Sequence, residues 1–138
     1  MGNIIENSNV NIGGEGPNTK ISYMYRDASN YKAGIEIVAE GKITPKEVQT
    51  LKDNLNDGEF FVPSMVGLPD LQERMSTPIG EDDHPYHEID PERDIEYTRE
   101  DPWPVDINIH DLVEKWKYCD WEKGGVEWSK EKLDYLSR

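Results

Sequence analysis

The residues best suited to chemistry lie in the segment GEDDHPYHEIDPERD, residues 80–94. There His84 and His87 stand three residues apart, with two aspartates before them and Glu88 directly after. Imidazole nitrogen and carboxylate oxygen are common ligands of zinc, and carboxylates also bind harder divalent ions. One prediction is therefore a divalent metal ion held by His84, His87 and Glu88 in a small hydrolase, where the ion would activate water.

The spacing of the two histidines argues against a helical metal site. Histidine ligands on a helix are typically four residues apart, as in HExxH, whereas here Pro85 lies between histidines three apart. In an extended strand, residues three apart point to opposite faces, so a turn is needed to bring both rings together. The alternative prediction is a structured turn that enters an edge strand and is held by hydrogen bonds of His84 or His87.

The charge of the chain favours a different class of function. Its 138 residues carry 29 Asp and Glu against 15 Lys and Arg, a formal net charge of −14. Binding to nucleic acid or to an anionic membrane needs clustered basic residues, so we expect neither. No apolar run reaches the roughly 18 residues of a membrane-spanning helix. The acidic residues are concentrated in residues 81–101, which indicates a basic protein as the natural partner.

The leading functional prediction is a non-enzymatic interaction module, such as an antitoxin, an immunity protein or an inhibitor. Trp103 lies between two prolines in a charged segment and is a candidate anchor, since aromatic residues often dominate binding energy. No catalytic residue is predicted, because close carboxylate pairs arise by composition alone in so acidic a chain. A structural subunit whose charge keeps it soluble is a third possibility. The oligomeric state is left open.

The segment YRDASNYK, residues 25–32, supports two interpretations. Its Asp27 and Asn30 are typical turn formers, which predicts a hairpin loop held by its own hydrogen bonds. Loops on a rigid sheet also carry binding residues, so Arg26, Asp27 and Asn30 are candidate recognition residues.

Alternation of apolar and polar residues predicts two strands on either side of this loop. The residues expected to face the core are Ile21, Tyr23 and Tyr25 in the first strand and Ile35, Ile37 and Ala39 in the second. A short polar connection makes an antiparallel hairpin the simplest arrangement. Further short strands are predicted at Phe60–Val62 and, as edge strands, in the segments HEI and IEYT, residues 87–89 and 95–98.

Helix signals are clearest in TPKEVQTLKDNLNDG, residues 44–58. Thr44 and Glu47 form a capping box, Pro45 fits the first helical position, and Gly58 fits a left-handed stop, so a helix is expected over residues 45–56. A second helix is predicted after Asn108, with an apolar face of Ile109, Leu112, Val113 and Trp116. A single turn at Pro69 and a last short helix around Leu133 complete the prediction.

These elements predict an α+β fold: a small antiparallel sheet, made of the N-terminal hairpin and short strands, with two or three helices on one face. Residues 1–19 are expected to be a flexible arm, and residues 20–138 a single domain. Cys119 is the one cysteine of the sequence, so no internal disulfide is possible and a reducing, cytoplasmic location is expected.

Three motifs carry a resemblance to a family. ISYMYRDASNYK, GEFFVPSMVGLPDL and DDHPYHEID occur in this order, and together they resemble a family of small, acidic, uncharacterised bacterial proteins that share YRDxSNYK, GEFFxPxxVGLPxL and DDHxxHE. The match covers residues 21–90. The resemblance implies that His84, His87 and Glu88 belong to a recurring motif and that the arm before Lys20 is an addition. It implies no particular activity.

Overall fold

The predicted hairpin forms the centre of the sheet. In the computed structural model, which describes residues 11–27, 30, 32–74 and 84–124, the first three strands are β1 (Gly13–Gly14), β2 (Asn18–Arg26) and β3 (Lys32–Ala39). β2 and β3 pair antiparallel along their whole length, from Thr19 opposite Ala39 to Arg26 opposite Lys32. This antiparallel pairing of β2 with β3 confirms the predicted hairpin.

The remaining strands are short and line up along the other edge of β2. They are β4 (Phe60–Phe61), β5 (His87–Glu88) and β6 (Ile95–Thr98). β6 pairs antiparallel with the first half of β2, and β5 pairs antiparallel with its second half. β5 also pairs with β4, and β6 pairs in parallel with β1. The predicted edge strands β5 and β6 are therefore interior strands, and the parallel pairing of β1 with β6 makes the sheet mixed.

The two faces of the sheet differ because side chains alternate along each strand. Ile21, Tyr23 and Tyr25 point to one face, together with Ile37 of β3, and all four are buried. This inner face carries the core. The opposite, outer face carries Ser22, which lies opposite Glu36 on β3 and is half-buried.

Helix α1 (Pro45–Asp53) covers part of the inner face and begins as predicted. The Thr44 side chain accepts a hydrogen bond from the Glu47 amide, and the Glu47 carboxylate accepts one from the Thr44 amide. The helix ends at Asp53, before the predicted limit of residue 56. Asn54 stops it: its backbone N–H bonds to Leu51, and its side-chain amide donates back to the Thr50 carbonyl.

Helix α2 (Ile109–Lys117) also begins at its predicted cap. The Asn108 side chain accepts hydrogen bonds from the first amides of the helix, and the predicted apolar face of Ile109, Leu112, Val113 and Trp116 is buried. α1 and α2 pack together, and the Trp116 indole donates to the Leu51 carbonyl at 3.1 Å. Trp116 stacks on Phe61 with 4.5 Å between ring centroids, which links the helices to β4.

Two 3-10 turns connect β4 to the segment before β5. They span Pro63–Val66 and Leu71–Arg74, so the helical turn predicted at Pro69 is replaced by one on either side of it. No helix in the described part of the chain is long and apolar enough to cross a membrane. The predicted last helix around Leu133 lies outside the described residues.

The expected N-terminal arm overlaps the sheet. Gly13 and Gly14 pair with Glu96 and Tyr97 of β6, and β2 begins at Asn18 rather than Ile21. Thr19 is fully buried, and its hydroxyl bonds both to the Gly41 carbonyl and to the Ile43 amide. Residues 11–19 are thus part of the fold because their backbone groups and Thr19 bond to it, and residues 1–10 lie outside the described residues.

Candidate functional site

His87 lies on the inner face of the sheet and belongs to the core. Its register places it beside Tyr25 of β2 and Phe61 of β4, and its side chain is fully buried. Nδ1 lies 2.9 Å from the Pro85 carbonyl, and Nε2 lies 3.0 Å from the Leu71 amide. Because a carbonyl accepts and an amide donates, Nδ1 carries the proton and Nε2 accepts. Both ring nitrogens are therefore in use.

The environment of His87 keeps its ring neutral. Burial lowers the pKa of His87 from 6.5 to about 4, and nearby His84 acts in the same direction, against opposite effects of the Pro85 hydrogen bond and of Asp70. The Asp70 carboxylate lies 3.7 Å from Nε2. This contact is not an ion pair at neutral pH, since Nε2 carries no proton and accepts the Leu71 amide.

His84 has a structural role as well. Its Nδ1 accepts a hydrogen bond from the Tyr86 amide at 3.1 Å, and its Nε2 donates to the Arg26 carbonyl at 2.9 Å. The His84 backbone N–H donates to the Tyr25 hydroxyl. The rings of His84 and His87 both pack near the Tyr25 ring, with centroid distances of 5.1 and 5.2 Å respectively. The two histidines thus fix residues 84–87 against the hairpin, which confirms the expected turn.

The structure does not bring the three predicted metal ligands together. Glu88 follows His87 on the same strand and therefore points to the outer face, opposite Met24, while His87 points to the core. No group of three metal-binding side chains is arranged around a common point within residues 11–74 and 84–124, as far as these are described. Binding at His84 or His87 would also displace existing hydrogen bonds. The neighbouring aspartates 82 and 83 lie outside the described residues.

The predicted recognition residues of the loop contact one another. The Asn30 amide bonds to the Asp27 carbonyl at 3.0 Å, and Asn30 has a positive φ of 69°. The Arg26 guanidinium donates to the Asn30 side chain at 3.3 Å, and its Nε lies 3.2 Å from the Glu88 carboxylate. That Nε is a buried atom without a hydrogen bond, because its N–H does not point at the carboxylate. Arg26 and Glu88 are thus an ion pair by distance alone.

Trp103 lies elsewhere, at the edge of β3 that faces away from β2. It exchanges two backbone hydrogen bonds with Val38, at 2.8 and 3.1 Å, and its side chain is 58% exposed. An exposed tryptophan is consistent with the predicted anchor role. Trp103 does not line the open groove on the outer face of the sheet.

The outer face of the sheet forms an open groove with a volume of about 890 Å³. Ser22, Met24 and Gly34 lie along its floor, and Gly34 leaves space opposite Met24 because it has no side chain. The walls carry the charged groups. Its lining contains five carboxylates, from Glu36, Glu59, Glu88, Asp90 and Asp94, and three basic side chains, from Arg26, Lys52 and Arg93.

Each basic side chain in the groove already has an acidic partner. Arg26 pairs with Glu88, Arg93 pairs with Asp90 at 3.0 Å, and Lys52 pairs with Glu92 at 2.5 Å. No described residue forms an ion pair with Glu36 or Glu59, which are both exposed. The groove therefore has a surplus of negative charge and no free basic group among the described residues that line it.

The groove was missed by reasoning from sequence, although one signal for it exists. Gly34 interrupts an otherwise regular strand pattern, and a glycine within a strand often marks a place where another chain or a ligand approaches closely. The acidic walls come from three separate segments of the chain, at Glu36, at Glu59 and at residues 88–94, which no single local motif connects.

No family model, no curated protein and no solved structure matches the chain.

Proposed function

We propose that this protein is an interaction module of the antitoxin, immunity-protein or inhibitor type, and that the groove on its outer sheet face binds a basic segment of a protein partner. The observation that carries the proposal is the surplus of carboxylates in the groove, where Glu36 and Glu59 form no ion pair with any described basic residue. A lysine or arginine side chain of a partner would supply the missing positive charge.

The groove fits such a segment in shape as well as in charge. The described helices pack on the inner face and none of them covers the groove floor of Ser22, Met24 and Gly34, so within the described part of the chain this floor is open to receive a segment of a partner. Met24 offers an apolar surface for the methylene stem of a lysine or arginine, while the carboxylates on the walls meet its charged end. Charge complementarity of this kind mainly speeds association and selects the partner.

An oligolysine peptide labelled with a fluorophore provides a direct test by fluorescence anisotropy. Glu59→Lys reverses one charge in the groove, and Glu114→Lys makes the same change on the exposed side of α2. We expect Glu59→Lys to weaken peptide binding about threefold or more relative to Glu114→Lys, because a local charge acts more strongly than a distant, screened one.

Two results would overturn the proposal. Equal weakening by both variants would show that the peptide responds to net charge and not to the groove. Binding that does not weaken between low salt and about 0.3 M salt would show that charge does not drive the association.

A further inference from the structure

The outer edge of β3 offers unpaired backbone groups. Val38 exchanges both of its backbone hydrogen bonds with Trp103, so its N–H and C=O point away from β2. Backbone groups alternate in direction along a strand, and those of Lys32, Gly34 and Glu36 therefore point the same way as those of Val38. These three residues are exposed, and no described residue bonds to their outward backbone groups. An exposed strand edge of this kind pairs readily with another strand.

We propose that β3 pairs antiparallel with β3 of a second copy of this chain, with Gly34 of one copy opposite Gly34 of the other. The two sheets then become one continuous sheet about a two-fold axis, which is the commonest symmetry of homodimers. In this register Lys32 and Glu36 of each copy lie opposite Glu36 and Lys32 of the other. All three opposing pairs have outward backbone groups, so they make six backbone hydrogen bonds.

The side chains of β3 are complementary to themselves in this register. On the outer face, each Lys32 meets a Glu36 of the other copy, and directly opposite unlike charges stabilise a strand pair. On the inner face, Ala33 lies opposite Ile35, and both are half-buried apolar residues in one copy alone. The Gly34 pair at the centre has no side chains, so the two backbones approach without steric conflict.

Other registers lose this match. A shift by two residues in one direction places Lys32 opposite Val38, whose edge is bonded to Trp103. The same shift in the other direction places Glu36 opposite Asn30, beyond the end of β3. A shift by four residues puts like charges opposite each other, which destabilises a strand pair.

The proposed pairing also brings two predicted binding elements together. β3 of the second copy ends at Lys32, opposite Glu36, so the turn at Asn30 comes close to Val38 and to the Trp103 paired with it. The chain turns at this point, since Asn30 has a positive φ and bonds back to Asp27. The turn of one copy therefore ends next to the exposed Trp103 of the other, which extends the contact beyond the strand itself.

The interface is short, so the dimer is expected to be weak. Each backbone hydrogen bond contributes only a small net free energy, and association has to offset the loss of translational and rotational freedom. Each copy also has a formal charge of −14, which opposes contact at low ionic strength. At about 0.15 M salt this repulsion is largely screened, and we expect a dissociation constant on the order of 10–100 µM.

Sedimentation velocity over a range of concentrations tests the pairing through charge swaps. Lys32→Glu sets two glutamates opposite each other at both ends of the paired strands, and Glu36→Lys sets two lysines there. Each single variant should weaken the dimer about tenfold, while the double variant K32E/E36K and an equimolar mixture of the two single variants should restore wild-type association. Lys32 and Glu36 are about 13 Å apart in one copy, so restoration cannot come from a contact within it.

The controls are Lys115→Glu and Glu114→Lys, which make the same charge changes at exposed positions of α2. They should leave the dissociation constant unchanged, and circular dichroism should show that all variants are folded. A wild-type chain that is monomeric at every concentration would overturn the proposal, as would a double variant that stays monomeric. Glu36 takes part in both proposals, whereas Glu59 lines only the groove. Glu59→Lys therefore separates them, because it should leave dimerisation unchanged even where it abolishes peptide binding.

Discussion

The backbone amide of Leu71 donates a hydrogen bond to Nε2 of His87 at 3.0 Å, across 16 positions of the sequence. Both residues are fully buried, and this bond ties the 3-10 turn that begins at Leu71 to the middle of the sheet. Since Nδ1 of the same ring donates to the Pro85 carbonyl, a single neutral imidazole satisfies one buried donor and one buried acceptor. A charged ring has no lone pair for the Leu71 amide.

This arrangement predicts that the protein loses stability in mild acid. In the unfolded chain His87 takes up a proton near its ordinary pKa of 6.5, whereas in the fold its pKa is about 4. Between these values the unfolded state binds more protons, so the free energy of unfolding falls as the pH drops from 6.5 towards 4. The full effect is on the order of 3 kcal/mol. Urea unfolding at pH values from 7 to about 4.5 measures it.

His87→Gln separates this contribution from that of the carboxylates, because glutamine offers a similar polar group that does not titrate. The variant should be less stable at pH 7 and should show a shallower fall with acid than the wild type. His110→Gln, which removes an exposed histidine, should show the same fall in the free energy of unfolding with acid that His87 causes in the wild type. Parallel curves for the wild type and His87→Gln would contradict the prediction.

A second prediction concerns added zinc. Because both nitrogens of His84 and His87 already form hydrogen bonds, a zinc ion at either ring would have to displace a bond to a backbone group. We therefore expect zinc at about tenfold excess to leave the thermal unfolding midpoint unchanged in protein treated with a chelator, since a ligand stabilises only the state it binds. A rise in the midpoint that disappears in His84→Gln would restore the metal interpretation.

Local patterns predicted the elements well, because their causes are local. The alternation in Ile21, Tyr23 and Tyr25 and the capping box at Thr44 depend on residues within a few positions of one another. The positions at which the helices and strands end were less predictable. α1 ends early because the Asn54 side chain bonds to the Thr50 carbonyl, and asparagine gives no signal in sequence that separates this role from a turn further on.

The candidate site was harder to predict, because its groups meet across the sheet. The sequence places His87 beside Glu88 in an acidic segment, but the pairing of β5 with β2 and β4 turns the histidine into the core and the glutamate to the outer face. That pairing depends on long-range register. The same holds for the groove, whose wall residue Glu59 approaches the floor of β2 only because β4 joins the sheet beyond β5.

The capping box of α1 gives a third prediction. Thr44→Ala removes the side-chain acceptor for the Glu47 amide, and it should lower the free energy of unfolding by about 1 kcal/mol. Thr44→Ser keeps the hydroxyl and should lose much less. Urea unfolding of the three proteins measures both differences, and equal losses for alanine and serine would show that the methyl group of Thr44, and not its hydrogen bond, stabilises the helix.

The last prediction contrasts a buried tryptophan with an exposed one. Trp116 is fully buried, stacks on Phe61 and donates its indole N–H to the Leu51 carbonyl, while the Trp103 side chain is 58% exposed. Trp116→Phe loses this hydrogen bond and leaves a small cavity, so the free energy of unfolding should fall by about 2–3 kcal/mol. Trp103→Phe keeps its backbone bonds to Val38 and should stay within about 0.5 kcal/mol of the wild type. Urea unfolding followed by circular dichroism compares the two without relying on tryptophan fluorescence, and similar losses in both variants would show that Trp103 supports the fold as much as Trp116 does.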